Sequence, residues 1–126
     1  MDVEKQIEYW RSGSEEDIEV AGELLEKNRI RHALFFGELS VEKMLKAHVA
    51  KGTRKVPPPI HDLLRLADLA RLQLSPDQRE FLARFQRYCF AGRYPDRELP
   101  ALPRVVAENV IKEAREFLKC LIHQLK

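Results

Sequence analysis

No apolar run in this sequence approaches the roughly 18 residues that a membrane-spanning helix requires, and the acidic opening Met1-Asp2-Val3-Glu4 is unlike the basic start of a secretory leader. Both absences point to the cytoplasm. Cysteine is scarce: Cys89 and Cys120 share no metal-ligand spacing, and two isolated thiols read as small packing residues rather than a disulfide. Charge of one sign is missing too, since 22 basic residues face 20 acidic ones for a net +2. Bulk electrostatics therefore does not announce a nucleic-acid binder, although a local basic patch stays open.

Other absences exclude chemistries. There is no Gly-rich phosphate loop and no Gly-x-Ser-x-Gly elbow, which leaves classical nucleotide hydrolysis and serine-hydrolase chemistry without support. Glu38 and Glu42 suggest a ferritin-like metal centre, but that centre needs a Glu-x-x-His pair, and none occurs. His32, His48, His61 and His123 are scattered without the close spacing of a zinc site. No metal and no cofactor are expected. Strand-type alternation and internal repeats are lacking, as are the turn and basic recognition face of a helix-turn-helix reader.

What is present is helical. With 44% hydrophobic and 33% charged residues in 126, the chain suits one amphipathic bundle, and residues 1–126 are read as a single domain. Ile7, Trp10, Ile18, Ala21, Leu24 and Leu25 recur at helical steps from about Glu4 to Lys27. Ser12-Gly13-Ser14 interrupts them, and one continuous helix carrying a costly glycine is preferred to a fresh start at Ser14 capped through Asp17. After a turn at Asn28 and Arg29, a second helix is expected from Ile30 to Lys51, ended by Gly52. Its adjacent Phe35 and Phe36 cannot share a face, so it should be buried around much of its circumference, with Gly37 admitting a neighbour closely. Pro57, Pro58 and Pro59 force a loop over residues 53–59. Further helices are expected over His61–Leu72, from Ser75 and Pro76 to about Phe90, and over Arg104–Gln124, with a second loop between Ala91 and Pro103. The fold class is all-α: an up-and-down bundle of about five helices.

One stripe does not fit a plain core helix. Glu38, Glu42 and Lys46 follow one another at intervals of four on the second helix, beside Lys43. His61-Asp62 stands at the start of the third helix, and Arg93-Tyr94-Pro95-Asp96 lies before the last. In a bundle these can converge on one groove, where a guanidinium beside an aromatic ring suits phosphate or base recognition. The plainer reading is that Glu42 and Lys46 form an ordinary i,i+4 pair and Asp62 merely caps a helix.

The same residues carry a likeness. Tyr9-Trp10 with Glu16-Asp17-Ile18, His32-Ala33-Leu34-Phe35-Phe36, Glu42-Lys43-Met44-Leu45-Lys46-Ala47, His61-Asp62-Leu63 and Arg93-Tyr94-Pro95-Asp96 follow one another over nearly the whole chain. In this order the chain resembles the HEPN domain family, helical proteins of prokaryotes and higher eukaryotes linked to nucleotide and RNA biology. The resemblance implies a helical bundle, commonly a homodimer, often encoded with a small nucleotidyltransferase as a toxin–antitoxin or two-component pair. Many relatives are metal-independent ribonucleases with an Arg, four to six residues and a His near the last helix. Here no His follows Arg93 or Arg97 at that distance. Arg54 and His61 have six residues between them, but in the proline loop, so the match is read as coincidence.

The leading expectation is a nucleotide- or RNA-associated HEPN module whose ligand-binding set is Glu42, Lys43, Lys46, His61, Asp62, Arg93, Tyr94 and Asp96. One alternative is a metal-independent ribonuclease with Arg93 and His61 as candidate catalytic residues. Another is a dimerising helical adaptor with no ligand, whose charged residues fix helix register.

Overall fold

The computed structural model describes residues 2–93 and 102–125. Five helices follow in order: α1 (Val3–Glu26), α2 (Ile30–Thr53), α3 (Leu63–Leu69), α4 (Pro76–Arg93) and α5 (Arg104–Leu125). No strand occurs among the described residues. The all-α expectation holds, and α1 runs unbroken through Gly13.

Each boundary has a local cause. Asp2 caps α1, its carboxylate accepting from the amides of Glu4 at 2.9 Å and Lys5 at 3.4 Å. Asn28, at φ 61°, turns the chain into α2. Ser75 and Gln78 form a reciprocal capping box at α4: the Gln78 amide donates to Ser75 Oγ at 3.1 Å and the Ser75 amide to Gln78 Oε1 at 2.9 Å. Three expected boundaries need correction. Gly52 does not end α2, which runs on to Thr53 and stops at Arg54 in the left-handed region, φ 60°. The third helix is shorter than His61–Leu72, because Asp62 caps it at one end and Arg71, at φ 57°, turns the chain away at the other. α4 passes Phe90 and reaches Arg93, so residues 91–93, expected in a loop, are helical.

α2 is the hub. It packs on each of the other four helices, and fourteen of its 24 residues are buried, which explains why its apolar residues do not keep to one face. α1 crosses it antiparallel, with Ser14 Oγ donating to Ser40 O at 2.6 Å. α4 is antiparallel as well, setting Phe85 against Gly37 and Cys89 Sγ 3.5 Å from Leu34 O. α5 runs parallel to α2: Ile111 meets Gly37, His48 meets Leu121, and Lys51 Nζ donates to the carbonyls of Gln124 at 3.2 Å and Leu125 at 2.9 Å. Up, down, up, down is thus the order of the four long helices, with α3 a short bracket between α2 and α4.

Gly37 makes the close approach possible. A methyl group there would stand 2.8 Å from Ile111 Cδ1 and 3.1 Å from Phe85 Cζ. The core around it, Met44, Leu45, Leu63, Leu66, Leu82, Phe85, Val110 and Leu121, is almost wholly removed from water, at roughly 25 cal/mol per Å² of apolar surface.

Candidate functional site

The charged stripe of α2 lies inside the molecule. Glu42 and Lys46, on adjacent turns, are 6% and 7% exposed in their side chains. Lys46 Nζ donates to Glu42 Oε2 at 3.1 Å. The same oxygen accepts a second hydrogen bond, at 3.0 Å, from Nδ1–H of His61, whose side chain is 72% exposed. One buried carboxylate therefore joins an inner ammonium to an imidazole at the surface.

Two elements hold this arrangement from the sides. On α1, the Trp10 ring covers Lys46, with Nζ 5.1 Å from its centroid, a cation–π contact that removes charge from water without a second anion. Trp10 is itself held by its indole N–H, which donates to Gln6 Oε1 at 3.3 Å, and by Tyr9 edge-on at 5.0 Å. On the other side, His61 follows the proline loop and precedes the Asp62 cap, whose Oδ1 accepts from the Arg65 amide at 3.2 Å. The Leu63 amide donates to Gln86 Oε1 of α4 at 2.6 Å. His61 thus sits directly before a segment pinned by the Asp62 cap and by Gln86.

Lys43 has a different partner. Its Nζ stands 2.7 Å from Asp17 Oδ2; the approach is not aligned as a hydrogen bond, so the attraction is Coulombic. Its stem crosses α1 at Gly13, where a methyl group would come 3.1 Å from Lys43 Cδ. The glycine in the middle of α1 makes room for this lysine.

Of the expected set, the structure brings together Glu42, Lys46 and His61. It sends Lys43 to Asp17 and uses Asp62 as a helix cap. The Arg93 side chain, like Tyr94, Asp96 and Arg97, lies outside the described residues. Arg54 is drawn to Glu4 at 3.0 Å rather than paired with His61.

Sequence reasoning used Trp10 and Asp17 only for the helix pattern, capping and the family likeness, not as site residues, and passed over Gln86. Trp10, Gly13 and Asp17 share one face of α1 at steps of three and four, opposite Lys46 and Lys43 of α2. A polar residue and a glycine on an otherwise apolar face were the available signal. His48 is a further buried polar group, 6% exposed. Its Nε2–H donates to Leu121 O at 2.8 Å, and burial, reinforced by Lys51, holds its pKa below the usual imidazole range against the raising effect of that bond. It packs against α5, two residues along α2 from Lys46.

Among the described residues no three His, Cys, Asp or Glu side chains converge as a metal site, and no helix there is long and apolar enough to cross a membrane. Comparison with curated proteins and with solved structures gave no match. The family model for the HEPN domain matches residues 7–125, so nearly the whole bundle, with Glu42, Lys46 and His61 inside the matched span, is accounted for by one family. This chain belongs to the HEPN domain family.

Proposed function

We propose that this protein is a nucleotide- or RNA-associated HEPN module that holds a phosphate-bearing ligand over His61, and that it works as a homodimer with a small nucleotidyltransferase in a toxin–antitoxin or two-component pair. Family membership points to nucleotide- and RNA-related function, and domains of this family often dimerise. The observation that carries the reading is the exposed imidazole anchored on a buried carboxylate. Because Nδ1–H is committed to Glu42, the ring is fixed in orientation and Nε2 is left to meet a ligand. Lys46 contacts no ligand in this reading; it balances the charge of Glu42 under the Trp10 ring.

Titration of the purified protein with mononucleotides and short RNA tests it. Saturable binding that His61→Ala abolishes supports the reading, and no binding to either, together with no nucleotidyltransferase recovered by pull-down, refutes it.

A metal-independent ribonuclease is the second reading, favoured by one observation: a carboxylate that orients an exposed histidine is a positioned general acid or base. It requires RNA cleavage in the presence of chelator that His61→Ala removes. Cleavage unchanged in that variant, or absent from the parent, refutes it.

A further inference from the structure

The chain has four histidines, and the structure gives them different surroundings. His48 is buried, with its Nε2–H spent on Leu121 O. His32 near the start of α2 and His123 near the end of α5 are exposed, and neither ring has a hydrogen-bond partner among the described residues. His61 combines exposure with an ordered ring. Its side chain is 72% exposed, its Nδ1–H is held by Glu42 Oε2 at 3.0 Å, and Nε2 has no partner among the described residues. The Ile60 amide donates to Pro58 O at 2.8 Å on one side, and Asp62 caps α3 on the other, so the backbone that carries the ring is ordered too.

With the ring proton on Nδ1, the in-plane lone pair is on Nε2, the nitrogen that Glu42 leaves free. When that lone pair bonds to an electrophile the ring becomes cationic, and the Glu42 carboxylate, buried and already aligned, stabilises the cation without reorganising. A bare carboxylate would also repel an incoming anion. Lys46 Nζ, 3.1 Å from the same oxygen, cancels that repulsion, and Asp62, the next residue, is turned to the Arg65 amide. Exposure to water selects the electrophile. An acyl group on imidazole is lost rapidly to water, whereas a phosphoryl group on imidazole repels hydroxide through its own negative charge and persists at neutral and alkaline pH.

We propose that His61 Nε2 is a phosphoryl acceptor, taking the group from a small donor in which phosphorus carries a good leaving group, an acyl phosphate or a phosphoramidate. The Nε2 lone pair forms the N–P bond while the P–O or P–N bond to the leaving group breaks, and the electron pair of that bond departs with the carboxylate or with ammonia. The ring proton stays on Nδ1, hydrogen-bonded to Glu42, and the displacement needs neither oxidant nor reductant. This step goes beyond the holding of a ligand over the same imidazole, and it requires no nucleotide.

The test incubates the parent, His61→Ala and Glu42→Gln with potassium phosphoramidate and, separately, with acetyl phosphate. Peptide mass spectrometry at alkaline pH reads the labelling rate of each histidine in one sample, and phosphorus–nitrogen NMR identifies the ring nitrogen. In the parent, His61 should be labelled at least tenfold faster than His32 and His123, on Nε2, from at least one donor, and that donor identifies the leaving group. Glu42→Gln should bring His61 down to the rate of the other two and leave theirs unchanged, an internal control that loss of the fold would not mimic. Because Glu42→Gln strands the Lys46 ammonium, Glu42→Gln/Lys46→Met is run beside it and should show the same fall. Equal labelling of the three exposed histidines in the parent, phosphorus on Nδ1 of His61, or a His61 rate unchanged in both variants overturns the proposal. Titration of the same preparation with adenosine monophosphate reads the binding proposal separately. Selective labelling without nucleotide binding leaves the acceptor role standing, and nucleotide binding without selective labelling overturns it while the binding reading stands.

Discussion

Replacing Glu42 by Gln should be among the most damaging single changes in this protein, and its cost should depend on who is left behind. Glu42 Oε2 accepts from both Lys46 and His61. Glu42→Gln keeps the shape and removes the charge, leaving the Lys46 ammonium buried with an uncharged amide and the Trp10 ring. Removing one partner of a buried ion pair costs about 3–5 kcal/mol; the retained amide oxygen argues for the lower end, about 3 kcal/mol. For 126 residues the unfolding entropy is about 0.26 kcal/mol/K, so Tm should drop by about 11 °C. Lys46→Met should cost less, about 1–2 kcal/mol, because Glu42 still has His61 as a partner that reaches solvent. The double variant Glu42→Gln/Lys46→Met removes both charges of the pair and should be more stable than the sum of the single effects by about 2 kcal/mol. Urea denaturation with an unchanged m value measures all three. The single tryptophan gives an independent signal, since its emission should shift in Lys46→Met, where the ammonium over the ring is lost. Additivity within about 0.5 kcal/mol would refute the account of Glu42 and Lys46 as one buried unit.

Gly52 lies inside α2, and a methyl group there meets only Ala70 O at an ordinary 3.5 Å. Gly52→Ala should therefore stabilise the protein by about 1 kcal/mol through helix propensity, whereas a glycine that ended the helix would make the same change destabilising; thermal denaturation tells them apart. Gly37→Ala should destabilise by about 1–2 kcal/mol through overpacking, and Ile111→Val, which removes the methyl group in the way, should restore part of the loss. Stability should also fall on acidification through His48. Its pKa is depressed in the folded protein, so below about pH 6.5 the unfolded chain takes up a proton that the folded one refuses. The contribution is fully present above that pH and is lost as pH falls toward the folded value. In His48→Gln the slope of stability between pH 7 and 5.5 should flatten, and an unchanged slope would refute the assignment.

Much of this architecture was legible because apolar spacing and capping chemistry speak locally. Ser75 before Pro76 marked the start of α4, and the spacing from Ile7 to Leu25 carried α1 through Gly13. The end of α2 was misread for the opposite reason: a glycine is the usual terminator, yet the chain turned at Arg54, where the left-handed conformation falls on an arginine. At the site, Glu42 and Lys46 were visible as a stripe, but their burial under Trp10 and the hydrogen bond from His61 depend on the α1 crossing and the proline loop, which no periodicity encodes.

The bonds that dock α5 join residues 73 or 74 positions apart, from His48 and Lys51 to Leu121, Gln124 and Leu125. Ser14 and Ser40 of the α1–α2 hairpin are only 26 apart. Short loops close first, and synthesis reinforces the order, since α5 follows the other four helices along the chain. During that interval α2 has its charged and apolar residues covered by α1 but not by α5, and His48 is without its carbonyl. The α1–α2 hairpin therefore closes over the shorter span, and the bundle is complete only when the final turn of α5 reaches Lys51.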